Sequence, residues 1–277
     1  MPFKTLLTVT GLELGNGDLQ IAADLCTEVG AHLSVLVIAL AAAPPIGEYG
    51  MVSDVWIQQR DQDVKDLKVR AATVSEFLAN SAPSADLADE YVETALADDM
   101  IGRRGRYADL TIVGPEMLSR ETLKDKVIEG ALFSSGRPLL LAPKGSKPTL
   151  KPGRVMVAWD SSLEASRAVR ESLDLIVDAG EVRLALVDPV ESESGHGAEP
   201  GADLAAYLAR YGAKVTVDCL PSQGQSVASV LRRHAVDISA ELLVMGGYGH
   251  SRLRERIFGG VTHSMLAEHP LPVLMAR

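Results

Sequence analysis

The segment MGGYGHSRLRERIFGGVTHSML (245–266) carries the residue pattern best suited to chemistry in this chain of 277 residues. Gly246 and Gly249 bracket two residues, and after nine more comes the pair Gly259 and Gly260. Glycine lacks the Cβ that would hold a phosphate away from backbone N–H groups, and it allows the positive φ angles that turn those groups inward. A helix beginning at Val261 would add unpaired N–H groups and the positive end of its dipole. The pattern predicts an anion cradle made mostly of backbone, with Val261 and Thr262 in the first turn of that helix. A competing reading of the same glycines is a turn with close helix packing, because turns recruit Gly for the same φ angles.

The side chains nearby are open to two readings as well. His250 follows Gly249 and could donate to a phosphate, or it is an ordinary loop histidine. Arg252 and Arg256, four apart, share a helical face; they could neutralise phosphate charge, or form a solvated face or an ion pair with Glu255. Asp160 ends the apolar run RVMVAWD (154–160), where it either faces a ligand or caps the helix that follows. The chain has no GxxxxGK[ST], no GxSxG and no HExxH pattern. Rapid ATP hydrolysis, esterase chemistry and a metal site built by protein ligands are therefore not supported.

The elements that must position these residues come in two copies. KTLLTVT (4–10) and RVMVAWD (154–160) lie 150 residues apart, and each leads through an amphipathic stretch to a glycine and a second apolar run. YADLTIVGP (107–115) matches SAELLVMGG (239–247), and RPLLLAP (137–143) matches LPVLMAR (271–277). Short runs of Val, Leu and Ile without alternation read as strands buried on both faces. The segments between them have helical spacing, as in Val64, Leu67, Val74, Phe77 and Leu78. This predicts an α/β protein of two tandem parallel-sheet domains with helices on both faces. Five strands are expected per half, near 4–10, 33–40, 88–94, 109–114 and 138–142, then 154–159, 182–188, 214–219, 241–246 and 272–276. PKGSKPTLKPG (143–153) reads as a linker, which places the domains at 1–147 and 148–277. The polar stretch 191–201 reads as a solvated loop leading to a helix over 202–212.

The balance of 27 basic against 37 acidic residues gives a net charge of −10, which disfavours polyanionic nucleic acid and anionic membrane surfaces as partners. Two cysteines, Cys26 and Cys219, make no disulfide framework and have no CxxC spacing. No apolar stretch reaches the roughly 18 residues of a membrane span, and the expected location is the cytoplasm.

GGYGHSRLRERIFGGVT (246–262) resembles the Gly-x2-Gly-x9-Gly-Ser/Thr nucleotide-binding signature of the universal stress protein family. The resemblance covers both halves, so the whole chain looks like a tandem member. It implies a Rossmann-like sheet in the order 3-2-1-4-5 in each half and a bound ATP or other adenine nucleotide, with any Mg²⁺ arriving on the nucleotide. It also implies that Asp160 faces the nucleoside and that the backbone of Val187 holds the adenine. The fifth strands, 138–142 and 272–276, would pair edge to edge, within one chain as a pseudo-dimer or between chains as a homodimer.

One position departs from the signature. Gly260 stands where the family has Ser or Thr, which removes a hydrogen bond of a kind worth about 1.5–3 kcal/mol. Thr262 is the candidate for the missing hydroxyl. The first half departs further: Thr10 replaces Asp160, Glu116 and Met117 stand for Tyr248 and Gly249, and Asp125 and Lys126 for Gly259 and Gly260. The expectation is one competent nucleotide site, in the second half, in a protein that binds rather than turns over its ligand. The alternatives are an interaction scaffold without nucleotide and a slow ATPase or phosphotransfer protein.

Overall fold

The computed structural model describes residues 3–44, 53–82, 84–190, 199–248 and 260–277. Their contacts divide the chain into two compact units, Phe3–Arg137 and Pro138–Arg277, hereafter the first and second unit. The first unit contains β1 (Thr5–Gly11), α1 (Gly17–Val29), β2 (His32–Ala41), α2 (Asp54–Ser81), β3 (Ala85–Glu93), α3 (Ala97–Gly105), β4 (Leu110–Val113), α4 (Pro115–Leu118) and α5 (Glu121–Glu129). The second contains β5 (Leu139–Leu141), β6 (Arg154–Ala158), α6 (Leu163–Glu171), α7 (Leu173–Asp178), β7 (Glu181–Val187), α8 (Ala202–Arg210), β8 (Val215–Leu220), α9 (Val227–Asp237), β9 (Leu242–Gly246), α10 (Gly260–Ala267) and β10 (Val273–Ala276).

In the first unit the strands run parallel in the order β3-β2-β1-β4. In the second unit β8, β7, β6, β9 and β10 are parallel in that order, which is the expected 3-2-1-4-5. The difference concerns β5. By the sequence repeat it is the fifth strand of the first half, yet its contacts place it in the second unit, antiparallel to β10, with Leu139, Leu140 and Leu141 opposite Met275, Leu274 and Val273. The predicted linker boundary at 147/148 and the division after Arg137 thus lie on either side of this three-residue strand.

The core follows from the pattern of side chains. β2 and β9 are buried along nearly their whole length because helices cover both faces. α1 buries Leu19, Ala22, Ala23 and Cys26, and α2 buries Leu67, Ala71, Val74 and Leu78, each set at helical spacing. A fully buried Leu or Val contributes about 1.5–3 kcal/mol. The edge strands β3 and β8 are only half buried and carry charge, as Asp86, Asp89 and Glu90 do on β3; charge on an edge discourages further strand pairing. β7, β8 and α9 are cross-linked through Asp218. Arg183 Nε and Nη2 donate to its two oxygens at 2.8 and 2.6 Å, and His234 Nε2 lies 2.9 Å from Oδ2. A carboxylate only accepts, so His234 carries a proton on Nε2 here.

Candidate functional site

In an open parallel sheet the crevice beyond the carboxyl ends, where successive connections leave on opposite faces, is the place for a ligand. In the second unit that place is the end of β6. The central strand stops early: its pairing ends at Ala158 with Ala185 on one side and at Val157 with Val244 on the other. Its neighbours run on, β7 to Val187 opposite Leu220 and β9 to Gly246 opposite Ala276. The result is a notch above β6, flanked by Val187 and Gly246.

Asp160 stands at the base of this notch and is exposed. Trp159 N–H still donates to Ala185 O at 2.9 Å, after which Ser161 turns the chain at φ 61°. Asp160 Oδ1 accepts the N–H of Ser162 at 3.0 Å, and the Ser162 hydroxyl caps α6 by accepting from Ala165 N–H at 3.1 Å. Asp160 therefore shapes the turn, while Ser162 caps the helix. One hydrogen bond uses a fraction of a carboxylate's acceptor capacity, so Asp160 can still accept from a ligand hydroxyl.

Beyond Val187 the chain is held to β8: Asp188 N–H donates to Leu220 O at 3.0 Å, and Asp188 Oδ1 accepts Ser222 N–H at 2.9 Å. Hydrogen bonds from Ser222 hold the Asp188 carboxyl below its usual range. Gly246 is explained by close approach. A Cβ there would lie 2.5 Å from Ala165 N and 2.8 Å from Glu164 C, so only glycine lets the first turn of α6 pack on the end of β9. The close-packing reading of this glycine therefore applies.

The chain leaves β9 through Gly247, whose N–H donates to Ala276 O at 2.8 Å, and through buried Tyr248 at φ 63°. It returns in α10, which begins at exposed Gly260, one residue before the predicted start. Half-buried Val261 and buried Thr262 complete the first turn. Tyr248 N–H donates to Thr262 Oγ1 at 3.2 Å, which fixes the residues flanking 249–259 to each other. That bond uses the hydroxyl oxygen and leaves its hydrogen to reach another acceptor. Gly249, His250, Arg252, Arg254, Arg256 and Gly259 lie outside the described residues; of the rest of the predicted set, Asp160 follows β6, Val187 and Gly246 end the flanking strands, and Gly260, Val261 and Thr262 open α10, tied to the end of β9 through the Tyr248–Thr262 bond. Among the described residues no group of acidic, His or Cys side chains could hold a metal ion, and no helix is long and apolar enough to cross a membrane.

The corresponding place in the first unit is filled from within. Asp18, buried on α1, accepts the N–H of Glu116 at 3.0 Å and of Met117 at 2.8 Å with its two oxygens. Burial pushes its pKa up against the pull of these bonds. A Cβ on Gly114 would meet Asp18 Oδ1 at 2.3 Å. Glu116 turns back, its Oε1 accepting Gly17 N–H at 3.1 Å. Arg70 of α2 donates to Asn16 Oδ1 at 3.0 Å, Gly15 O at 2.6 Å and Thr10 Oγ1 at 3.3 Å. Lys126 pairs with Asp98 and Glu129 at 3.1 and 3.2 Å.

Sequence reasoning expected the side chains at 116, 117, 125 and 126 to obstruct this loop and missed Asp18. By helix position Asp18 follows the Asn16 N-cap of α1 as Glu164 follows the Ser162 N-cap of α6, so an acid stands there in both halves and the repeat alone does not single out Asp18.

Residues 152–277 match the model of the universal stress protein family, and this stretch of the chain belongs to that family. The fold of the whole chain is similar to a universal stress protein from Archaeoglobus fulgidus DSM 4304, with TM-score 0.70 and 18% identity, covering 99% of this chain and 96% of that one. It is also similar to a structure described as a putative universal stress protein from Pseudomonas aeruginosa UCBPP-PA14, with TM-score 0.58 and 15% identity, covering 99% and 93%. At these identities the likeness shows the fold. No curated protein matches the chain.

Proposed function

We propose that this is a stress-response protein of the cytoplasm that binds one adenine nucleotide, ATP in the first instance, in its second unit. The notch above β6 supports this reading most directly. Asp160 at its base would accept from the ribose, the overreaching backbone at Val187 would meet the adenine, and the α10 N-terminus at Gly260, Val261 and Thr262 would receive phosphate oxygens. Gly249, His250 and Gly259, outside the described residues, complete the proposed set, and Gly246 serves it by letting the first turn of α6 pack on the end of β9. A nucleotide is a polyanion, and a helix N-terminus offers it donors and favourable dipole charge. In this reading the carboxylate of the notch, Asp160, is taken by the ribose rather than set beside the phosphates, so binding is favoured over turnover, with any Mg²⁺ carried in by the phosphates.

Among the described residues of the first unit the counterpart of this cradle is occupied, because Asp18 already takes the amides of Glu116 and Met117. The same reading includes a pseudo-dimer of the two sequence repeats, whose last strands, β5 and β10, pair within the second unit. Mass spectrometry of freshly purified, denatured protein tests the proposal: release of an adenine nucleotide supports it. Absence of nucleotide together with no calorimetric response to ATP favours an interaction scaffold.

A further inference from the structure

We propose that His269 is an acid-sensitive latch of the second unit: its neutral ring holds α10 in place, and a proton on the ring releases it. His269 lies between the end of α10 at Ala267 and the start of β10 at Val273. It is only 8% exposed. Neither Nδ1 nor Nε2 makes a hydrogen bond of good geometry among the described residues, which is rare for a buried polar group. Burial sets the ring's pKa below the ordinary 6.5, against the pull of the Met265 carbonyl four residues back. The ring is therefore seated as a neutral wedge.

The surroundings give an imidazolium no compensation. The ring shares a cleft with Arg232, Arg233 and Asp237 of α9 and with Glu268. Arg232 Nη1 donates to Ser264 O at 3.3 Å and to Glu268 O at 3.1 Å, and it pairs with the Glu268 carboxylate at 3.3 Å. Glu268 is thus committed to Arg232, and Asp237 is exposed. β10 has no titratable side chain, and that of α10, His263, is exposed. Among the described residues no carboxylate bonds to the ring. A proton there would create a buried charge beside two guanidiniums, a cost that departure of the ring into water removes.

Arg232 and His269 hold the same end of α10, so departure of the ring loosens that end. Near the other end of this helix of 8 residues, Thr262 Oγ1 accepts Tyr248 N–H. Loosening of α10 therefore reaches the turn assigned above to the phosphates, a coupling that rests on the proposed nucleotide site. Because the native pKa is lowered, the released ring takes the proton more readily. Docking is at full strength above 6.5 and weakens as pH falls through 6.5 toward the native value. Acid and nucleotide then oppose each other through one helix.

The test is amide hydrogen exchange on the full chain from about pH 7.5 to about 5, corrected for intrinsic rates. Protection of the amides of Ser264 to Ala267 should fall at least about tenfold over that range, while α6 and β7 keep theirs. His269→Gln, which cannot take up the proton, should hold that protection level. If the variant does not fold, the ring signal of the wild type decides: its midpoint should lie below 6.5 and coincide with the loss of protection. Calorimetric titration with ATP at both ends of the range reads the coupling. Wild type should weaken about tenfold more than His269→Gln, whose own change accounts for titration of the ATP phosphates. Protection that survives to the acid end, or falls equally in His269→Gln, overturns the latch. An affinity that falls no further in wild type than in the variant overturns the coupling. Failure to bind ATP at neutral pH sinks the nucleotide reading alone, and exchange still tests the latch.

Discussion

Asp18 Oδ2 accepts the amide of Met117 at 2.8 Å, at the position where the second half of the chain has Gly249. The first unit therefore carries its own anion where the family signature would place a phosphate. Asp18→Ala would leave two amides at the start of α4 without their acceptor and should cost about 1–3 kcal/mol, the penalty of unsatisfied buried polar groups. Chemical denaturation should show this loss. The number of nucleotides bound per chain should not change, since the side chains of Glu116 and Arg70 remain in place.

Thr262 makes the corresponding link in the second unit. Thr262→Val removes the acceptor of the Tyr248 N–H while keeping the shape, and Thr262→Ser keeps the hydroxyl. Valine should reduce stability by about 1–3 kcal/mol and weaken ATP at least about tenfold. Serine should restore most of both. Calorimetric titration of the two variants checks this, and equal affinity in all three proteins would remove Thr262 from the site.

Asp160→Ala should weaken nucleotide binding, whereas Thr10→Ala should not. Loss of the Asp160 turn bond to Ser162 should cost about 1 kcal/mol or less, because Ser162 remains as the cap. A large drop in affinity with a small drop in melting temperature separates ligand contact from a structural role.

Gly246→Ala should destabilise the second unit, since the new Cβ would meet Ala165 N at 2.5 Å and both partners are backbone. Overpacking of this kind costs about 1–3 kcal/mol. Thermal unfolding reads it directly.

Acid should expose the Asp218 cluster. Burial raises the Asp218 pKa, but hydrogen bonds from Arg183 and His234 outweigh it, and the carboxyl sits below its ordinary 3.8. A lowered folded value means that the unfolded chain binds the proton more readily, so this stabilisation is present above 3.8 and is lost as pH falls through the folded value. Unfolding free energy measured from neutral pH downward should fall on that acid limb, and Asp218→Asn should flatten it. An unchanged slope in the variant would show that the cluster contributes nothing.

The strands could be read from sequence because they are buried on both faces, which leaves uninterrupted apolar runs such as HLSVLVIALA in β2. β3 was placed three residues late, since an edge strand open to solvent admits Asp86 and Asp89 and breaks the apolar run. The glycine spacing and Asp160 could be found from residue types and their order along the chain. The Asp18 plug and the Tyr248–Thr262 bond could not, because each joins residues about 100 or 14 positions apart through a backbone donor that any residue supplies. Local pattern carries no record of which distant amide an acid will meet.

The central claim is one nucleotide site per chain, in the second unit. Calorimetric titration of the nucleotide-free protein with ATP, alongside Gly249→Arg, measures it most directly. The account predicts a stoichiometry of one that the variant loses. A stoichiometry of two, or binding of one ATP that survives Gly249→Arg, would contradict it.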